Sequence, residues 1–187
     1  MRKLAALFGF ILFLTILFGC EVENCPPNSM TYAHFSLVDQ HGRAFKSSDT
    51  ISIIGQIETD VVVYETLPDG TQQSHTVYDS LVNDTFINRE VGANSFKLPL
   101  SYANQTRFIF VYRGLNESFR GEDTIDIYHN NIPYFTNLDC GTMMFYTITQ
   151  TQTTHHRLDS LVVTNSNIDN YDKENFKIYY TVITSNE

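Results

Sequence analysis

The sequence predicts an all-β protein, an immunoglobulin-like antiparallel β-sandwich of about nine strands. Three observations predict it. After residue 30 the apolar residues recur at period two, and no run of i, i+3, i+4, i+7 follows the N-terminal segment. Residues suited to a pleated, half-buried surface are dense, with 14 Phe and 11 Tyr among 187 residues. The apolar stretches are short and alternate with turns rich in Asn, Asp, Gly and Ser, the spacing of sandwiches and barrels. The chain has no Trp, so it lacks the ring that antibody domains bury between their sheets, and only the architecture is expected.

The chain opens with Met1-Arg2-Lys3 and then Leu4 to Phe18, apolar apart from Thr15. Spanning a bilayer takes about 20 apolar residues. A basic start followed by about 7–15 apolar residues reads instead as a secretory signal. The run ends Leu17-Phe18-Gly19-Cys20, which resembles the bacterial lipobox. The resemblance implies cleavage before Cys20. Residues 1–19 are then a lipoprotein signal peptide, and Cys20 is the acylated first residue. An uncleaved membrane anchor is the competing reading. Residues 20–30 form a lipidated tether. Glu21 and Glu23 there resemble the surface-export signal of Bacteroidetes-type lipoproteins, although a solvated acidic tether has the same composition. Pro26-Pro27 stiffen it. The expected location is the outer membrane, lipid-anchored, on its periplasmic or its outer side.

Three Cys are present. With Cys20 given to lipid, Cys25 and Cys140 remain in an exported protein, where disulfides persist. A Cys25–Cys140 disulfide is expected. Closing so long a loop stabilises by about 4–5 kcal/mol in the chain-entropy model. A reactive or metal-binding thiol pair is the alternative, and no CxxC spacing supports it.

Residues 31–187 are expected to form one domain. The strands read, in order, Thr31 to Val38, Ile51 to Ile57, Val61 to Leu67, Ser95 to Leu100, Arg107 to Tyr112, Thr124 to Tyr128, Met143 to Gln150, Leu158 to Thr164 and Asn175 to Val182. The first alternates Ala33, Phe35 and Leu37 on one face. Pro68-Asp69-Gly70 is a turn signal. Pro99 points to an edge or a bulge. Arg107 to Tyr112 is apolar on both sides, as a central strand would be. Thr147 to Thr154 reads as a strand running into an exposed polar hairpin.

From Asp79 onward the order of features carries a resemblance. Asp79-Ser80-Leu81 precedes SFKLPL, then RFIFVY, DTIDIYHN, Asp139-Cys140-Gly141, RLDSLVVTNSNI and NFKIYY. This resembles a family of small Bacteroidetes outer-membrane lipoproteins classed as a domain of unknown function, over roughly the last 110 residues. The resemblance implies location and fold, association with outer-membrane β-barrel proteins, and no assigned activity.

Charge narrows the partners. Loss of Arg2 and Lys3 leaves 10 of the 12 basic residues against 21 acidic ones, a net charge of −11. That argues against nucleic acid and against electrostatic adhesion to anionic lipid.

Candidate chemistry is sparse. The adjacent His155-His156 would point to opposite faces of a strand, and no zinc spacing is present. Asp169, Asp172 and Glu174 sit close together but lack the order of an EF-hand. No G-x-S-x-G or triad spacing appears. One pattern recurs, Asp then Ser or Thr then an aliphatic residue, at Thr50, Ser80, Thr124 and Ser160. It resembles the O-glycosylation sequon of exported Bacteroidetes-type proteins. A turn Asp ahead of a strand opening produces the same triplet. No catalytic residue, metal site or cofactor is expected. The expected function is a non-enzymatic envelope lipoprotein, an accessory or docking subunit of an outer-membrane protein complex. The alternative is a surface module binding glycan or calcium.

Overall fold

The computed structural model describes residues 30–114, 119–135 and 141–181. Ten strands run through them: β1 (Ala33–Asp39), β2 (Thr50–Thr66), β3 (Gln72–Glu90), β4 (Ser95–Leu98), β5 (Gln105–Arg113), β6 (Arg120–Phe135), β7 (Thr142–Thr153), β8 (Ser160–Val163), β9 (Asn167–Ile168) and β10 (Phe176–Tyr180). Among the described residues there is no helix. The strands form two sheets, a small one ordered β4-β1-β10-β8 and a large one ordered β3-β2-β5-β6-β7-β9. Their inner faces enclose a common apolar core, so the all-β sandwich read from the sequence is what the chain adopts.

All ladders are antiparallel except β1 with β10. That parallel pair sets Phe35 opposite Phe176, ties the first strand to the last, and stacks their rings at 4.5 Å. Phe35 also meets Phe108 and Phe110 of the large sheet edge-on, at 6.0 and 6.4 Å. All four rings are fully buried. Burying one such side chain stabilises by roughly 1.5–3 kcal/mol, and edge-on ring pairs add about 0.5–1.5 kcal/mol. At the far end of the core the Tyr112 and Tyr180 hydroxyls bond each other at 3.0 Å, so neither is left unpaired. Burial first, and the neighbouring phenol with it, pushes the Tyr112 hydroxyl far above its ordinary range.

The large sheet departs from the sequence reading. The two strands expected at 51–57 and 61–67 are one 17-residue strand, β2. The stretch 72–90, to which no strand was assigned, is β3, with 19 residues the longest of the ten. A bulge explains the apparent break in β2. The register slips between Thr59 and Val61, where Asp79 adopts a positive φ of 53° and its N–H reaches the Asp60 carboxylate at 3.2 Å. The short β9 was also unassigned. The signal peptide, most of the tether, and Cys20, Cys25 and Cys140 lie outside the described residues.

Candidate functional site

Among the described residues, the feature that no packing explains is the outer half of the β2–β3 hairpin. β2 pairs with β5 from Thr50 to Gln56, where the ladder ends at Arg107. Beyond that point, among the described residues, β2 keeps β3 alone, and β3 is the last strand of its sheet. Ile57 to Leu81 is therefore a two-stranded arm. Its turn forms as the sequence indicates: Gly70 takes a φ of 84°, the Gly70 N–H donates to the Leu67 carbonyl at 2.9 Å, and the Asp69 carboxylate accepts from the Thr71 N–H at 2.9 Å. No residue of the arm is buried. Val62, Tyr64, Val77, Tyr78 and Leu81 are 40–71% exposed, with Tyr64 and Tyr78 each at 71%. An isolated hairpin is marginal in water, so this length of apolar-studded ribbon is out of keeping with a free surface.

A groove of about 520 Å³ lies where the arm leaves the sandwich. Its floor is the inner face of the ribbon, with Gly55 and Ile57 on β2 and Val82, Asp84 and Phe86 on β3. Its wall is the segment after β4, from Pro99 to Ala103. Gly55 makes room here for Phe86. A side chain at that position would run into the Phe86 ring, which lies over the bare backbone. The same ring meets Phe108 edge-on at 6.1 Å, so groove and core are continuous. Arg107 lines the groove, but its guanidinium is bound to Asp126 through two hydrogen bonds of 2.7 and 2.9 Å. Those bonds raise its pKa further above the ordinary arginine value.

Two buried polar groups resemble reactive centres and are instead fully engaged. Asp123 is 1% exposed. Its oxygens accept hydrogen bonds from the Thr154 hydroxyl at 2.8 Å and from the N–H groups of His156, Arg157 and Leu158 at 2.7, 2.8 and 3.0 Å. Burial alone would raise its pKa. The backbone donors outweigh that and hold it below the ordinary value. Asp123 thus shapes the loop between β7 and β8. His129 is 2% exposed, bonded to Asn131 Oδ1 at 2.7 Å and to the Thr106 hydroxyl at 2.9 Å. The Asn131 amide donates to the Tyr102 and Ala103 carbonyls, so its oxygen must accept and His129 carries its proton on Nδ1. Burial lowers the His129 pKa and keeps the ring neutral.

The residues singled out in the sequence are not brought together. Thr50 donates to the Arg113 carbonyl at 3.2 Å and Ser80 to the Val77 carbonyl at 3.3 Å. The aspartates ahead of the four hydroxyls have structural work of their own. Asp49 binds Arg157 at 2.8 Å, Asp79 sits in the bulge, Asp123 holds its loop, and Asp159 accepts from Thr181 at 2.8 Å. Thr50, Ser80, Thr124 and Ser160 are all half-buried. In the acidic loop Asp169 binds Lys173 at 2.7 Å, Asp172 binds Lys97 at 2.8 Å, and Glu174 lies 3.5 Å from Lys177. Each carboxylate there faces a cation of the chain. His155 and His156 lie in an exposed loop, not on a strand. Among the described residues no three His, Cys, Asp or Glu side chains are arranged to hold a metal ion.

The arm and its groove were missed in the sequence, yet a signal for them is there. From Ser47 to Asn88 the chain holds seven acidic residues and no Lys or Arg. Residues 74–180 match the model of DUF6452, a family of unknown function. No curated protein and no solved structure matches the chain.

Proposed function

The chain belongs to DUF6452, matched over more than half its length, and from that membership and the uncovered arm we propose a non-enzymatic docking subunit of an outer-membrane protein complex. The single observation that carries this reading is the ribbon from Ile57 to Leu81, rich in exposed apolar residues and without a buried one. Exposed apolar surface of this extent is characteristic of an interface. The lipobox-like Leu17 to Cys20 supports a Bacteroidetes-type lipoprotein acylated at Cys20 and held at the outer membrane. The Cys25–Cys140 disulfide would clamp the tether to the body. Thr31 supports it, since its hydroxyl donates to the Met144 carbonyl at 2.5 Å. The first described residues therefore lie close to the strand that follows Cys140. The hydrogen bonds of Asp123 and His129 give each of them a structural role.

The test is affinity purification of the full chain from its native envelope with the lipid intact. A stoichiometric outer-membrane protein should co-purify. A monodisperse monomer in mild detergent would dispose of the proposal. Intact mass from the same preparation reads out both acylation and any sugar at Thr50, Ser80, Thr124 or Ser160. One observation favours a glycan module instead: Tyr102, 80% exposed, stands beside the groove. Calorimetry against a glycan panel decides that reading, and an absence of heat removes it.

A further inference from the structure

The groove beneath the arm is an unfinished part of the sandwich. The small sheet ends on this side at Leu98, whereas β2 and β3 of the large sheet run on. The inner apolar row therefore emerges from under its cover, and Ile57, Val82 and Phe86 are 43%, 38% and 36% exposed. Beside them, among the described residues, β2 from Ile57 to Thr66 is paired on one side alone, so its other edge presents N–H and C=O groups beyond the Gln56–Arg107 rung. An apolar floor with period-two spacing next to a free strand edge is the geometry that accepts an added strand. The opposite face of the ribbon carries a different chemistry. Glu58 projects away from the Ile57 side, whereas Asp84, opposite Gly55, stands on the groove floor between Val82 and Phe86, and Arg107 is committed to Asp126.

We propose that the groove and the adjoining edge of β2 take an extended strand of a partner protein in which apolar residues alternate with Lys or Arg. Added beside β2, such a strand would turn its apolar residues toward Ile57, Val82 and Phe86. Its basic residues would then lie on the side of Glu58. Charge selects this occupant over the others. The arm from Ile57 to Leu81 holds five acidic residues and no Lys or Arg, so a second copy of the chain would bring like charge against like. An anionic lipid surface would repel it for the same reason. The inference rests on the docking reading and adds the chemistry of the partner.

The experiment uses the full chain in mild detergent and a short blocked peptide of alternating Val and Lys. An alternating Val and Glu peptide is the control. Fluorescence anisotropy reads affinity, and hydrogen exchange reads location. The Val–Lys peptide should bind saturably below about 1 mM and slow exchange at Ile57 to Thr66. The double variant Glu58→Lys, Asp84→Lys, which alters no buried residue, should weaken binding about tenfold or more. Absence of saturable binding overturns the inference. So does equal binding of the two peptides, unchanged affinity in the double variant, or protection confined to other strands. Slowed exchange at the same amides on raising protein concentration alone, or on adding anionic vesicles, would assign the edge to a second copy or to a membrane and likewise overturn it. The affinity purification separates this inference from the docking reading. A partner captured equally by the wild type and the double variant ends the inference and leaves the docking reading intact. Peptide binding without any captured partner ends the docking reading and leaves only the strand-accepting chemistry of the edge.

Discussion

Asp123 and His129 illustrate how burial and hydrogen bonding set what a titratable side chain can do. A carboxylate with four donors on it, three of them backbone N–H groups, is held ionised by the fold itself. Asp123→Asn keeps the shape but replaces one acceptor oxygen with a donor that faces N–H groups. The expected loss is about 2–3 kcal/mol, read by chemical denaturation at neutral pH. The pH dependence has a definite sign. The folded pKa of Asp123 lies below its ordinary value. Its stabilisation is therefore complete above the unfolded pKa of about 3.9 and is lost as pH falls through the lower folded value. The variant should show a shallower fall in stability below about pH 4. His129 acts at higher pH. Its folded pKa is lowered by burial, against the smaller raising effect of Asn131. As pH drops below about 6.5 the unfolded chain takes up a proton that the folded ring refuses, and stability declines. His129→Gln should cost about 1–3 kcal/mol at pH 8 and remove that component of the slope, which urea titrations on either side of pH 6.5 would measure.

The β2–β3 hairpin is two elements in one. Its inner half belongs to the core, with Ile51 and Ile53 fully buried, while its outer half buries nothing. Removing the outer half should therefore leave the sandwich standing. Thr59 and Ser80 face each other across the ribbon, so residues 60–79 can be replaced by Asn-Gly, a two-residue hairpin turn. The expected change in stability is under about 1 kcal/mol, since surface changes away from packed features stay small. A collapse of cooperative thermal unfolding would mean that the arm is part of the fold after all. The same division explains what could be read in the sequence. Strands whose alternation reports a buried face were legible: Ala33, Phe35 and Leu37 in β1, Phe96 and Leu98 in β4, and the doubly apolar β5 between its two neighbours. β3 was not, because a strand with solvent on both faces has no burial to impress on its pattern, and QQSHTVYDSLVNDTFINRE reads as polar loop. The break read at 58–60 was a bulge, a local slip in register that a period count scores as an end. The groove was invisible for a further reason. It joins β2 and β3 to a turn after β4, and its floor depends on Gly55 and Phe86, 31 positions apart, meeting across a ladder.

At the scale of the molecule the two chain ends of the body are held by one parallel pair. β1 lies between β4 and β10, and β10 pairs in turn with β8. A force applied through a lipid anchor would reach β1 first. Five backbone positions of β1 are matched to β10, from Phe35 with Phe176 to Asp39 with Tyr180. A short parallel ladder is a weak place to bear a pull. The Thr31 to Met144 hydrogen bond lies upstream of that ladder and bridges to the large sheet, and the proposed Cys25–Cys140 bond would make the same connection covalent. The reach is sufficient. Cys25 lies six positions before Thr31 and Cys140 four positions before Met144, at up to about 3.3 Å per step when extended. Oxidised protein from the native envelope should take up no alkylating reagent at Cys25 or Cys140 until a reductant is added. Cys25→Ser and Cys140→Ser should each lower stability by about 3–5 kcal/mol. The double variant should be no worse than either single one, because one bond is lost in all three. Reversible guanidinium denaturation of the three variants, beside alkylation followed by mass measurement, checks both statements. Unequal or additive losses, or two thiols that react without reductant, would leave any pull from the proposed anchor acting directly on β1.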